Sequence, residues 1–286
     1  MTKPDSSRVR RRRSGLGATA MATLLWCTGA VSQTPALANA LTSGYAKAGR
    51  VTIVVPFAPG GATDIIARLL ADEVGKRWGT AVAADNKAGA RGGIGTEFVA
   101  RAAPGGYTLL LGTQTALAVN PSLLKKLGYN VEKDFAPITL LAQTPLVLLA
   151  STKSDANNVQ ELVARIKASP DAVSYVTSDI GTSQHLTPLM MLSQLGASAV
   201  HVRLPARSIN DWPWSGLLAQ AGTPAPAASF LNTEVVAVLN DPEVTKRLAA
   251  PGFTPKPMSQ EAFARFIQTE TAKFAQLIKS NKLVVQ

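Results

Sequence analysis

Two polar, glycine-bearing loops hold the residues with the most chemical scope. The first is Pro56-Phe-Ala-Pro-Gly-Gly-Ala-Thr-Asp64. Gly60 and Gly61 allow a sharp turn and a close approach of backbone to ligand. Thr63 or Asp64 can cap the helix expected to follow, and free N–H groups at such a start attract anions, carboxylates included. The second loop is Ser178-Asp-Ile-Gly-Thr-Ser-Gln-His-Leu186, where Thr182 and Ser183 can cap a helix or donate to a carboxylate. An ordinary strand-to-helix turn of an α/β domain uses the same residue types, so both readings stand at this point. Catalytic constellations are missing. The two histidines, His185 and His201, have no metal-ligand spacing. The sequence has no Gly-x-Ser-x-Gly elbow, no Walker loop and no His-Glu-x-x-His. Ser183 with His185 is the one nucleophile–base candidate, for a secreted α/β hydrolase, yet nothing marks an orienting acid or an oxyanion hole. No metal and no cofactor is expected.

The elements that must position these loops follow from periodicity. Residues 51–55 are apolar and β-branched apart from Thr52, which suits a strand covered on both faces. Further strands are expected at 82–85, 108–112, 146–150 and 173–176. Helices are expected at 65–78, 92–102, 121–127, 159–169, 186–196, 227–239, 242–249 and 259–279. The order β-α-β-α-β argues for a parallel α/β sheet. Gly89-Ala-Arg-Gly-Gly-Ile-Gly95 lacks the Gly-x-Gly-x-x-Gly spacing and reads as a glycine-rich turn into a helix. Phe263, Phe266, Ile267, Phe274, Leu277 and Ile278 recur at helical spacing and read as a packing face.

The first 38 residues read as a secretory signal peptide: a basic run at Arg8 and Arg10 to Arg13, then a short apolar stretch, then Ala36-Leu37-Ala38. The apolar stretch falls short of a membrane span, so no stable membrane insertion is expected after cleavage. The single cysteine, Cys27, lies in this leader, which leaves neither disulfides nor thiolate catalysis beyond it. The leader holds +5 of the chain's net charge of +11, leaving +6. That balance favours anionic ligands. It is no nucleic-acid footprint, since basic clusters do not interleave with aromatics, which make up 6% of the chain.

The run at 56–64 resembles the signature of the tripartite tricarboxylate transporter substrate-binding proteins, the Bug family of Bordetella and its relatives. Further segments fit in order: Asn86-Lys-Ala-Gly-Ala-Arg-Gly-Gly-Ile-Gly95, Pro104-Gly-Gly-Tyr-Thr-Leu-Leu-Leu-Gly-Thr113, Asn120-Pro-Ser-Leu123, Lys133-Asp-Phe-Ala-Pro137, Gly181-Thr-Ser-Gln-His-Leu186, Gly216-Leu-Leu-Ala-Gln-Ala-Gly-Thr-Pro224 and Asp241-Pro-Glu-Val-Thr-Lys-Arg-Leu248. The resemblance implies a periplasmic-binding-protein-like (type II) α/β fold with two lobes. It implies a small carboxylate held in the cleft by loop amides and ordered waters, and delivery to membrane transporter subunits or a sensor domain. Carried over by position, the ligand-binding residues are Phe57, Ala58, Pro59, Gly60, Gly61, Thr63 and Asp64 of the first lobe, Thr113 and Thr115 after the third strand, and Ser178, Gly181, Thr182 and Ser183 of the second lobe. No cationic side chain is needed for such a clamp.

One departure stands out. After Val200-His201-Val202 the family continues through several tens of residues, whereas here Arg203-Leu-Pro-Ala-Arg-Ser-Ile-Asn-Asp211 leads at once into Trp212-Pro-Trp-Ser-Gly-Leu-Leu. The expectation is a first lobe from 39–145 plus 212–286, and a truncated second lobe over 146–211. Losing a strand and its crossover exposes apolar faces and unpaired edges. An internally deleted copy of reduced stability, open to loss of binding, is the corresponding hypothesis.

Overall fold

β1 (Val51–Val55) shows why the main sheet forms. Its side chains alternate between two faces: Val51, Ile53 and Val55 enter one core, and Val54 enters another. β3 (Thr108–Thr113) and β7 (Trp214–Gln220) divide likewise, with Leu109, Leu111, Leu217 and Ala219 on one side and Leu110 and Leu218 on the other. A strand covered on both faces has no polar side to show, so these runs are apolar throughout. The computed structural model describes Gly44 and residues 49–177, 180–203 and 213–283. The expected signal peptide at 1–38, Ser178, and residues 204–212 of the expected second lobe and its boundary lie outside the described residues.

The main sheet has the order β2-β1-β3-β7-β4-β8, completed by β2 (Val82–Asn86), β4 (Phe135–Gln143) and β8 (Thr254–Pro255). β1 pairs in parallel with β2 and β3, whereas β7 runs antiparallel to both β3 and β4, and β8 antiparallel to β4. The sheet is therefore mixed, not all-parallel as the element order suggested. The β-α-β rule governs only the first three strands; β7 enters from late in the chain and lies between β3 and β4.

The helices in chain order are α1 (Ala62–Trp78), α2 (Gly93–Ala100), α3 (Asn120–Leu123), α4 (Val131–Asp134), α5 (Val159–Ala168), α6 (Ser183–Gln194), α7 (Ala225–Leu239), α8 (Pro242–Ala249) and α9 (Gln260–Ser280). α1, α7 and α8 cover one face of the sheet through Ile66, Leu70, Leu231, Val235 and Leu248. α9 covers the other through Phe263, Ile267 and Phe274, so its stripe is a packing face. Local signals set their ends. Asp241 caps α8 by accepting from the amides of Glu243 and Val244, Ser259 caps α9, and Gly79 at φ 63° ends α1. α9 comes close because β7 carries a glycine there, Gly216, which pairs with Gly112 of β3. A β-carbon on Gly216 would stand 2.0 Å from Cζ of Phe263.

A second, small sheet pairs β5 (Ser174–Thr177) in parallel with β6 (Val200–Arg203), with α6 as the crossover. One of its faces packs on α6, where Tyr175 stacks with His185 and His201, and the two histidine rings meet at a tilt. The opposite face leaves Val176, Val200 and Val202 exposed. Two strands make a marginal sheet, so its stability comes from α6, whose Leu186 is buried in the core under α9.

Several expectations on element identity needed correction. The run 146–150 forms no strand; Val147 is 76% and Leu149 85% exposed. An apolar run becomes a strand only where an edge is free to pair with it. β4 was missed because Pro137 and two register shifts break its alternation, and β7 because Gly216 interrupts it. The helix expected at 121–127 ends after Leu123, where Leu124 turns extended.

Candidate functional site

The first loop meets α1 without a side-chain cap. Gly61 is the N-cap residue, with no side-chain hydrogen bond to the amides that open the helix. Those N–H groups are the ones that attract an anion at a helix start. Neither expected cap does that work. Thr63 lies inside the helix, and its buried hydroxyl makes no hydrogen bond among the described residues. Asp64 turns back on the loop: its carboxylate accepts from Gly60 N at 2.9 Å, Arg68 Nε at 2.8 Å and Asn86 Nδ2 at 2.9 Å. Asn86 Nδ2 also donates to the carbonyl of Phe57 at 3.1 Å.

Burial pushes the Asp64 carboxyl up, but the bonds from Arg68, Gly60 and Asn86 outweigh it and hold it below the ordinary carboxylate range. The same contact raises Arg68. Asp64 thus serves the loop's shape. A ligand carboxylate about 4 Å from it would meet a repulsion of roughly 4 kcal/mol at an effective dielectric of 20 before Arg68 offsets part of it. Ala58, Pro59 and Gly60 are exposed at the loop tip, Phe57 is half-buried, and Gly60 takes φ 81°.

The second part of the site follows β3. Thr113, Gln114 and Thr115 are all buried. Thr113 Oγ1 accepts weakly from the amide of Ala116 at 3.4 Å, and Thr115 opens a π-type turn, Thr115–Val119. Gln114, which sequence reasoning passed over, reaches the start of α6: its Nε2 donates to Ser183 Oγ at 3.2 Å. Its signal was one amide side chain flanked by two hydroxyls in an otherwise apolar stretch.

In the second loop Thr182 is the cap of α6, its Oγ1 accepting from His185 N at 3.3 Å. Gly181, at φ 79°, donates its amide to His185 Nδ1 at 3.0 Å. The two loops converge through intermediaries. The Phe57 ring lies 3.2 Å from where a β-carbon on Gly92 would sit. Next to Gly92, Arg91 extends to Gly181: its Nη1 would be 3.0 Å from a β-carbon there, and Leu123 Cδ2 2.2 Å. Phe57 thus meets Gly92, Gly181 meets Arg91 and Leu123, and Ser183 meets Gln114, the neighbour of Thr113. Thr63 and Asp64 lie beneath the first loop. A cavity of about 500 Å³ is also lined by Gln114, with Thr144, Thr187, Trp214, Phe266 and Lys273. Among the described residues no group of three or more His, Cys, Asp or Glu side chains could hold a metal ion.

With this geometry in view, comparison with known proteins is direct. Residues 66–212 match the tripartite tricarboxylate transporter family receptor, TctC. The chain belongs to this family. BugT of Bordetella pertussis is 35% identical over 179 residues, which is 62% of this chain and 55% of BugT. The chain thus spans about half the length of that relative. A protein encoded between tcbD and tcbE in Pseudomonas sp. strain P51 is 25% identical over 313 positions, covering 86% of this chain and 93% of the relative. Since 86% of 286 residues is about 246, about 67 of those positions have no residue here. MatC of Rhodopseudomonas palustris, solved with bound malate, is 26% identical with a TM-score of 0.66, over 80% of this chain and 99% of MatC. The fold is the two-lobe α/β arrangement of this family's binding proteins.

Proposed function

We propose that the chain is a periplasmic solute-binding protein that captures a small carboxylate between its lobes for a tripartite tricarboxylate-type uptake system or a sensor. The observations that carry this reading are the uncapped start of α1 and the bond by which Gln114, after β3, meets Ser183 at the start of α6. An anion there receives helix amides and hydroxyls, and its binding favours lobe closure as a hinge motion. The ligand contacts in this reading are Phe57, Ala58, Pro59, Gly60, Gly61, Thr63, Thr113, Thr115, Ser178, Gly181, Thr182 and Ser183, with Asp64 holding the loop. The lobes run over 39–145 plus 212–286 and over 146–211. MatC's bound malate supports a carboxylate as the class. The periplasmic location rests on the family and on the expected leader; among the described residues no helix is long and apolar enough to cross a membrane. The hydrolase alternative draws nothing from the family. In the structure Ser183 Oγ accepts from Gln114, and His185 Nδ1 accepts from Gly181.

A second reading rests on the exposed run 146–149 and the open valine face of β5 and β6: the deletion has removed binding, and the chain is a relic. One experiment separates the two. The chain, expressed with its leader and purified from the periplasm, is melted with and without a panel of di- and tricarboxylates, amino acids and aromatic acids. A sharp transition raised by one acid is expected, since ligand at 100 times its Kd adds about 2.7 kcal/mol. A broad transition with no response to any acid would establish the relic.

A further inference from the structure

The cavity of about 500 Å³ beside Gln114 shares no lining residue with the ligand contacts carried over from the family resemblance. It opens between α6, which supplies Thr187 and Met190, α9, which supplies Phe266, Glu270, Lys273 and Phe274, and the adjoining ends of β4 and β7. Protein interiors leave few voids larger than a water molecule, and small-molecule sites occupy roughly 300–1,000 Å³, so an open space of this size is more than a packing flaw. Its lining is graded. Trp214, Gln114 and Phe274 are at most 4% exposed and form the closed end, whereas Pro145, Thr254 and Lys256 are exposed and form the mouth. The closed end is aromatic: Trp214 and Phe266 meet edge to face, with ring centroids 5.1 Å apart. Its charges are compensated internally. Glu270 accepts from Trp214 Nε1 at 2.9 Å through one carboxylate oxygen and from Lys273 Nζ through the other. Lys273 also stands 4.8 Å over the ring of Phe274. Lys256 differs, for it lines the same cavity and forms no ion pair among the described residues.

We propose that this cavity is a second small-molecule site, which takes an amphipathic monocarboxylate: an aromatic body against Trp214, Phe266 and Phe274, and the carboxylate at the mouth, paired with Lys256. The site goes beyond the carboxylate cleft of the receptor reading, and neither depends on the other. The lining selects this class. An apolar body that covers the aromatic walls removes them from water, the main favourable contribution to such binding. A carboxylate driven to the closed end would lose its hydration beside the buried Glu270, whereas at the mouth it keeps water and gains an ammonium. One uncompensated cation matches one carboxylate, so a small polyanion gains little here. An amine finds Glu270 already engaged by two donors and two lysines close by.

The test is calorimetric titration of the chain purified from the periplasm. The probe is 3-phenylpropanoate, with 3-phenylpropanamide as its neutral counterpart, 2-phenylethylammonium as its cationic one, and malate for the cleft. Wild type is compared with Lys256→Glu and Thr187→Phe. Lys256 is exposed, so its replacement leaves the fold intact; Thr187 is half-buried on α6, and a ring there fills the cavity. Wild type is expected to bind one phenylpropanoate. Lys256→Glu should weaken it about 3- to 25-fold, since an exposed charge pair is worth up to about fivefold and reversal turns it into a repulsion of similar size. The amide should change less than about twofold in that variant. Thr187→Phe should lose phenylpropanoate more than about tenfold and keep malate within about twofold; if it fails to fold, the Lys256→Glu comparison decides alone. Wild type that binds no phenylpropanoate, or binding equal in wild type and Lys256→Glu, overturns the site. So does competition by malate, which would put the probe in the cleft, and tighter binding of phenylethylammonium, which would make Glu270 the anchor. Phenylpropanoate bound as expected by a chain that answers to none of the wider acid panel supports the second site and removes the receptor reading.

Discussion

Replacing Asp64 with Asn tests whether one carboxylate organises the first loop. In the structure Asp64 is almost fully buried and accepts from Gly60 N at 2.9 Å, Asn86 Nδ2 at 2.9 Å and Arg68 Nε at 2.8 Å. The Arg68 side chain is 55% exposed, so that pair contributes little, about 0–1 kcal/mol. The other two bonds are charge-assisted and shielded, worth roughly 1.5–3 kcal/mol each. Asn keeps one acceptor oxygen but turns an NH₂ toward the donors Gly60 N–H or Asn86 Nδ2, so at least one bond is lost and one donor stranded. The expected destabilisation is about 3 kcal/mol at pH 7, or roughly 10 °C in Tm for a chain of this size. The pH dependence has a definite sign. The folded carboxyl is held below its ordinary range, so its contribution is present above the unfolded value near 3.9 and is lost as pH falls through the folded one. Thermal melts of wild type and Asp64→Asn from pH 7 to pH 3 should show a gap that is constant near neutrality and narrows below about pH 4. An Asn variant melting within 2 °C of wild type at pH 7, or a gap that holds its size to pH 3, would refute the reasoning.

Two other sites give clear outcomes. Gly216→Ala places a β-carbon 2.0 Å from Phe263 Cζ, so it should cost about 1–3 kcal/mol in urea unfolding, and adding Phe263→Leu should recover part of that loss; an unchanged midpoint would show that α9 packs less closely than described. Tyr129 is buried, which pushes its phenol up to about 12 against the weaker pull of hydrogen bonds, and its hydroxyl donates to the Ala116 carbonyl at 2.6 Å. The stability it contributes is therefore full below pH 10 and lost as pH rises toward 12. Tyr129→Phe should cost about 1 kcal/mol at pH 7 and flatten the alkaline fall, and tyrosinate absorbance that titrates fully near pH 10 would contradict the burial.

The sequence by itself determined whatever is local. The alternation of Val51, Ile53 and Val55 with Val54 specified a doubly covered strand, Gly60 and Gly61 marked the turn, Asp241 and Ser259 placed helix starts, and the ordered motifs identified the family. Each depends on neighbours within a few residues, or on a pattern shared with relatives. The early return of the family pattern after Val202 was legible as well, because a motif that resumes too soon needs no coordinates to be noticed.

Tertiary structure decided everything that depended on partners distant along the chain. The apolar run at 146–149 became exposed coil instead of strand, for want of an edge to pair with. Asp64 became the tie of a loop instead of a helix cap, because Asn86 and Arg68 stand on its other side. Thr182 did become a cap, while Ser183 was taken up by Gln114, sixty-nine positions away. Arg91 came to lie against Gly181, ninety positions on, which no local spacing encodes. Propensity and periodicity are read along one segment, whereas a carboxylate's role and a cleft's charge are set by which segments the packed cores bring together.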